Sequence, residues 1–169
     1  MNHTEERLVE WLRDAHAMEQ QAEKMMKSQA SRMENYPEVV QQLERHIEET
    51  LRQAEKVESC LARYDQSAST MKDIASKMTA LGQTFSGMFA GDEVVKGCLA
   101  WTTFEHFEIA SYRMLITTAE EAGDHETKRV CEEILKEEEA MAAWLEKNSP
   151  QVVRQYLHRE QSPGATAKR

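Results

Sequence analysis

A chain of 169 residues can bury one hydrophobic core and is short for two domains. With 6 Gly and 3 Pro beside 40% hydrophobic and 30% charged residues, the composition suits long amphipathic helices and argues against turn-rich sheets. A formal charge of -9 with no local Lys/Arg cluster repels nucleic-acid phosphates and anionic lipid, so neither is an expected partner.

Thr4 to about Arg32 carries Leu8, Leu12, Ala15, Glu19, Ala22 and Met26 at alternating spacings of three and four, the stripe of an amphipathic helix. Asn35-Tyr36-Pro37 breaks it, and Pro37 suits the first turn of a second helix. That helix continues the seam through Val40, Leu43, Ile47, Thr50, Ala54, Val57 and Leu61 to about Arg63. Asp65 to Ser69 reads as a loop, with Ser69 or Thr70 able to cap a weaker amphipathic helix bearing Ile74, Met78, Leu81, Phe85 and Met88.

Asp92 is positioned to cap a third long helix with Val95, Cys98, Thr102, Glu105, Ile109, Tyr112, Ile116 and Ala119, which stops at Gly123. Asp124 caps a fourth, whose inner positions are Cys131 or Val130, Ile134, Glu138, Met141 and Leu145, ending before Pro150. Residues Gln151 to Arg159 add at most one short helical turn, and the polar tail from Gln161 to Arg169 is expected to be disordered. The domain boundary therefore falls near residue 160, with one domain over 1–160.

Tight turns join helices one to two and three to four, and one long segment crosses between the pairs. That is the connectivity of an all-α, ferritin-like four-helix bundle with an extra helix in the crossover. The apolar face of the segment from Thr70 to Met88 needs cover once four helices close the bundle, so a homodimer is expected. No apolar run of about 18 residues is present, and Met1-Asn2-His3-Thr4-Glu5-Glu6 lacks the features of a signal peptide, so a cytoplasmic location is the expectation. Cys60, Cys98 and Cys131 are odd in number, unclustered and on or beside apolar stripes, and read as buried thiols. The 10 methionines read as adaptable core filler.

Glu19, Glu105 and Glu138 occupy seam positions where an apolar residue belongs, and a buried carboxylate needs a partner. His46 and Glu49 share a face of helix two, and Glu108 follows Glu105 by three on helix three. Every long helix thus offers an oxygen ligand, and a metal ion is the partner such a cluster suits. A chain with 30 Asp plus Glu also places single glutamates at seam edges with their heads in water, so the argument rests on four helices showing the same feature near mid-length. His16 and His106 lie beside the seam as rim histidines, and Trp11, Trp101 and Trp144 read as packing anchors.

Four strings carry a family likeness that spans about residues 5 to 160: Trp11-Leu12-Arg13-Asp14-Ala15-His16-Ala17-Met18-Glu19-Gln20-Gln21, His46-Ile47-Glu48-Glu49-Thr50, Glu105-His106-Phe107-Glu108-Ile109-Ala110-Ser111-Tyr112, and Glu137-Glu138. The chain resembles the YciE/YciF family, and the first string resembles its YciE branch. The resemblance implies a ferritin-like fold related to rubrerythrin and manganese catalase, occurrence in bacteria under stress, and dimers formed through the bundle and the extra helix. Rubrerythrin-type bundles supply a Glu, an E-x-x-H, an E-x-x-E and a second E-x-x-H. Here the third is intact as Glu105 and Glu108, while the second reads Glu49-Thr50-Leu51-Arg52 and the fourth Glu138-Glu139-Ala140-Met141.

Both expected imidazoles are therefore replaced, with His46 one turn earlier as a substitute. Carboxylates alone make a hard-oxygen site, tolerant of Mn, Mg or Ca. The expected function is a bacterial stress-associated protein with an altered or vestigial dinuclear site at Glu19, His46, Glu49, Glu105, Glu108 and Glu138, holding Fe or Mn or no metal. A metal-dependent oxidase or peroxidase and a non-catalytic interaction protein are the alternatives. Arg52, if it turns inward, would neutralise the carboxylates without any metal.

Overall fold

A computed structural model describes residues 1–64 and 92–165. These contain four long helices, α1 (His3–Ala30), α2 (Pro37–Ala62), α3 (Glu93–Glu121) and α4 (His125–Glu160), and no strand. The extra helix expected around Ile74 to Met88 and the end of the tail at residues 166–169 lie outside the described residues. Residues 161–165 are exposed hydrogen-bonded turns.

The helices close a bundle in the order α1, α2, α4, α3, each packed on its two neighbours. Ties across the seams fix their directions. Gln53 reaches Glu137 at 2.8 Å and Lys56 reaches Glu133 at 3.4 Å, so α2 and α4 are antiparallel. On the opposite side Arg32 bonds Glu93 at 2.6 Å while Tyr112 bonds Glu19, so α1 and α3 are antiparallel as well.

The ends of the helices follow local chemistry. Asn2 and Glu5 form a reciprocal capping box at the start of α1. Tyr36-Pro37 opens α2 with proline in the first turn, where its missing N–H costs nothing. Gly123 holds φ at +72°, the left-handed conformation that ends α3, and Asp124 then accepts from the Thr127 backbone N–H at 3.0 Å to start α4. Asp124 also takes Arg63 at 2.6 Å and the Tyr64 hydroxyl at 2.7 Å, which pins the end of α2 to the α3–α4 turn. Asp92 does sit at the N-cap of α3, but its side chain makes no cap bond and lies 3.7 Å from Lys96 instead.

One expected boundary is overturned: α4 does not stop at Pro150 but runs on to Glu160. Proline removes one helical N–H and so frees the carbonyl four residues earlier. The adjacent turn is reinforced by side chains, Asn148 donating to the Trp144 carbonyl at 2.7 Å and Ser149 to that of Leu145 at 2.6 Å. Beyond the proline, Val152 is buried and Gln155 donates to the Asn35 carbonyl at 3.1 Å, so the extension is held by the α1–α2 turn.

The core is continuous from Leu8, Leu12 and Val9 at one end to Met26, Met33 and Trp101 at the other. The α1 and α4 stripes are buried as read from the sequence. In α2 and α3 the seam is rotated slightly: Val39, Gln53, Val94 and Leu115 are buried, whereas Val40, Ala54, Val95 and Ile116 are only partly covered. Trp101 is a core residue. The three cysteines are free and buried. Burial pushes the Cys98 thiol up to about 11 and the Cys131 thiol up to about 12, so both stay protonated and unreactive at neutral pH.

Candidate metal centre

Each helix brings its acidic residue to the same level of the bundle. Helical spacing puts Glu105, Glu108 and Tyr112 on one face of α3, and this face meets Glu19 from α1, His46 from α2 and Glu138 from α4. Glu19 and Glu138 are fully buried, and His46, Glu105 and Glu108 nearly so. One ligand atom each from His46, Glu105, Glu108 and Glu138 lies within 4.8 Å of all the others.

Few of these atoms have partners. His46 Nδ1 is 2.9 Å from Glu49, while its Nε2 lies 3.4 Å from Glu105 and 3.5 Å from Glu138 without a satisfied hydrogen bond. Both oxygens of Glu138 and one each of Glu19, Glu105 and Glu108 are likewise buried and unsatisfied. Tyr112 donates its hydroxyl to Glu19 Oε1. A buried acceptor without a donor costs about 1–3 kcal/mol, and more when charged, so a concentration of them at mid-bundle calls for protons or a cation.

Proton affinities show the same demand. Desolvation, followed by the charge of Glu138, pushes Glu19 well above the usual carboxylate range despite the Tyr112 bond. Desolvation and the neighbouring carboxylates of Glu138, Glu19 and Glu105 do the same to Glu108. Glu105 rises from 4.5 to about 8, desolvation outweighing the favourable charge of His46. Desolvation would lower His46, but Glu105, Glu138 and Glu49 together raise it well above its ordinary value. Desolvation would raise Glu138 as well, but the nearness of His46, Glu105 and Glu108 outweighs it and holds this carboxyl low. Without a metal, therefore, the surroundings favour protons on Glu19, Glu105, Glu108 and His46 and ionisation of Glu138.

The residues present fit a divalent ion. Three carboxylates and an imidazole from three helices converge with orphaned donor atoms, and His46 has its second ring nitrogen bonded to a carboxylate, the arrangement that orients metal-bound histidines. The six candidates read from the sequence fall into three positions. His46, Glu105, Glu108 and Glu138 form the inner group, Glu19 lies beside it tied to Tyr112, and Glu49 stands one step out, a quarter exposed (25%), behind His46. Arg52 is exposed and cannot neutralise the cluster. Met141 is buried and accepts from Gln42 Nε2 at 3.4 Å. His106 is exposed; His16 is buried, and desolvation lowers its pKa against the opposing charge of Glu58.

Two residues at this level escaped the sequence reading. Tyr112 reads from the sequence as a seam residue only, although a hydroxyl four and seven residues along from two seam glutamates needs a partner beside them. Gln53 is fully buried with its Oε1 unsatisfied, at the spacing His46, Thr50, Gln53 that a shifted seam would have shown.

The family described as a domain of unknown function, DUF892, matches residues 3–158. The chain belongs to this family. Among solved structures, a protein from Xanthomonas campestris pv. campestris is 40% identical, with a TM-score of 0.79 over 95% of this chain and 100% of that one. YcfI from Rhodopseudomonas palustris, provisionally described as a structural protein, is 26% identical with a TM-score of 0.67 over 86% of this chain and 94% of its own. The Escherichia coli stress protein YciF matches at 22% identity and a TM-score of 0.70, covering 91% of this chain and 99% of its own. The resemblance to the YciE/YciF family therefore holds, and at that identity YciF supports the bundle fold of DUF892 alone.

Proposed function

We propose that this DUF892 bundle is a stress-associated protein that binds divalent Fe or Mn in an altered ferritin-like dinuclear site. The observation that carries the reading is the set of orphaned, buried ligand atoms of His46, Glu105, Glu108 and Glu138. His46 takes the place of the absent E-x-x-H imidazoles, and Glu49 orients it. One divalent ion offsets only two of the three inner carboxylates, so Glu19 is the further carboxylate that a second ion would bring into play. When bound, such metals supply Lewis acidity or one-electron chemistry. The chain itself supplies a dry pocket, a fixed imidazole and acids that release protons as metal enters. Stress association is carried over from the name of YciF.

The test is metal analysis of purified protein after anaerobic equilibration with Fe(II) or Mn(II). At least one ion per chain is expected, falling to background in Glu138→Gln combined with His46→Gln. Background metal in the native chain would leave the interaction reading ahead. That second reading has its own observation: Trp11, Phe107 and Met114 are exposed around a groove of about 360 Å³ between α1 and α3.

A further inference from the structure

We infer that Tyr112 is a positioning residue for the metal site, acting through Glu19. Its hydroxyl, on a fully buried ring, is committed to Glu19 Oε1, while Glu19 Oε2 is buried in the same pocket with no partner. One oxygen of the carboxylate is thus capped and the other presented singly. Glu19 does not belong to the group of ligand atoms that already converge, yet it interacts electrostatically with Glu138, His46 and Glu105. What Glu19 contributes therefore depends on where Tyr112 holds it. A phenylalanine would fill the same space, so packing alone does not account for the hydroxyl.

This inference rests on the metal reading above and deepens it. Outer-shell hydrogen bonds to metal ligands are worth about 10–100-fold in affinity. Mn(II) titration calorimetry and Co(II) visible spectra on the full chain, Tyr112→Phe, Glu19→Gln and the double variant provide the test. Tyr112→Phe is expected to weaken metal binding about 10–100-fold and to alter the Co(II) spectrum, and to add nothing in the Glu19→Gln background. Equal losses in both backgrounds, or native affinity in Tyr112→Phe, would overturn it while leaving the metal site standing. No uptake by the native chain would remove the metal reading and this inference together. If circular dichroism shows Tyr112→Phe to be misfolded, Glu19→Asp replaces it. That variant keeps the charge but draws the carboxylate back from the phenol, and native affinity there would equally overturn the role.

Discussion

His46 has a carboxyl group on each side, Glu49 at Nδ1 and Glu105 with Glu138 at Nε2, so either a proton or a metal ion suits its Nε2 side. The two states make opposite demands on pH. Glu105, raised to about 8, and Glu19 and Glu108, raised well above the usual range, must lose protons when an ion enters. Metal affinity should therefore climb as pH rises from 6 to 9, with proton release visible as a buffer-dependent calorimetric enthalpy. In the metal-free chain the sign reverses. A carboxyl whose folded pKa exceeds its unfolded one favours folding most at low pH and loses that contribution as pH rises from 4.5 towards 8. The apo melting temperature should fall across that window, and Glu105→Gln should flatten the fall. Substitution at the missing imidazole positions should be asymmetric: Met141→His, buried one turn after Glu138, is expected to raise iron occupancy, whereas the exposed Arg52→His should leave it unchanged.

Among the elements, the α3–α4 turn gathers several contacts on one residue. Asp124 accepts from Thr127 N–H, Thr127 hydroxyl, Arg63 and Tyr64. Asp124→Ala removes the cap and the α2 anchor together, and about 2–3 kcal/mol is expected, a fall of about 4–12 °C in Tm by calorimetry. Asp124→Asn keeps an acceptor and should cost less. Desolvation opposes ionisation of Asp124, but the Thr127 and Tyr64 bonds and the Arg63 charge overcome it and depress its pKa. Its contribution is therefore complete above its ordinary pKa and disappears as acid takes the pH below that value. Gly123→Ala isolates backbone strain at φ +72°, since a Cβ there meets nothing within 4 Å; a loss of about 1 kcal/mol is expected.

For the whole molecule, assembly is the open variable that solution measurement reaches most directly. A homodimer is expected from the apolar residues Ile74, Met78, Leu81 and Phe85 of the sequence, which lie outside the described residues. The exposed Trp11, Phe107 and Met114 are a separate reason to expect a covering surface. Light scattering at micromolar concentration should give a dimer mass, with Leu81→Glu shifting it towards monomer; a monomer from the native chain would discard the dimer.

The order of the helices, the turns at Pro37 and Gly123, and the inward placement of Glu19, Glu105 and Glu138 were legible because helical periodicity is a local property of the chain. Periodicity resolves a stripe only to about one residue in either direction, and so it took Ala54 for Gln53 and Ile116 for Leu115. Proline read locally is a stop, and α4 passes through Pro150 only because the α1–α2 turn buries Val152 and binds Gln155. What the sequence determined by itself was a bundle with acids in its seam. Which acids meet, that Arg52 points to water, that Glu49 stands behind His46 and that Tyr112 holds Glu19 were decided by packing between helices, because those distances depend on how the helices are rotated against one another.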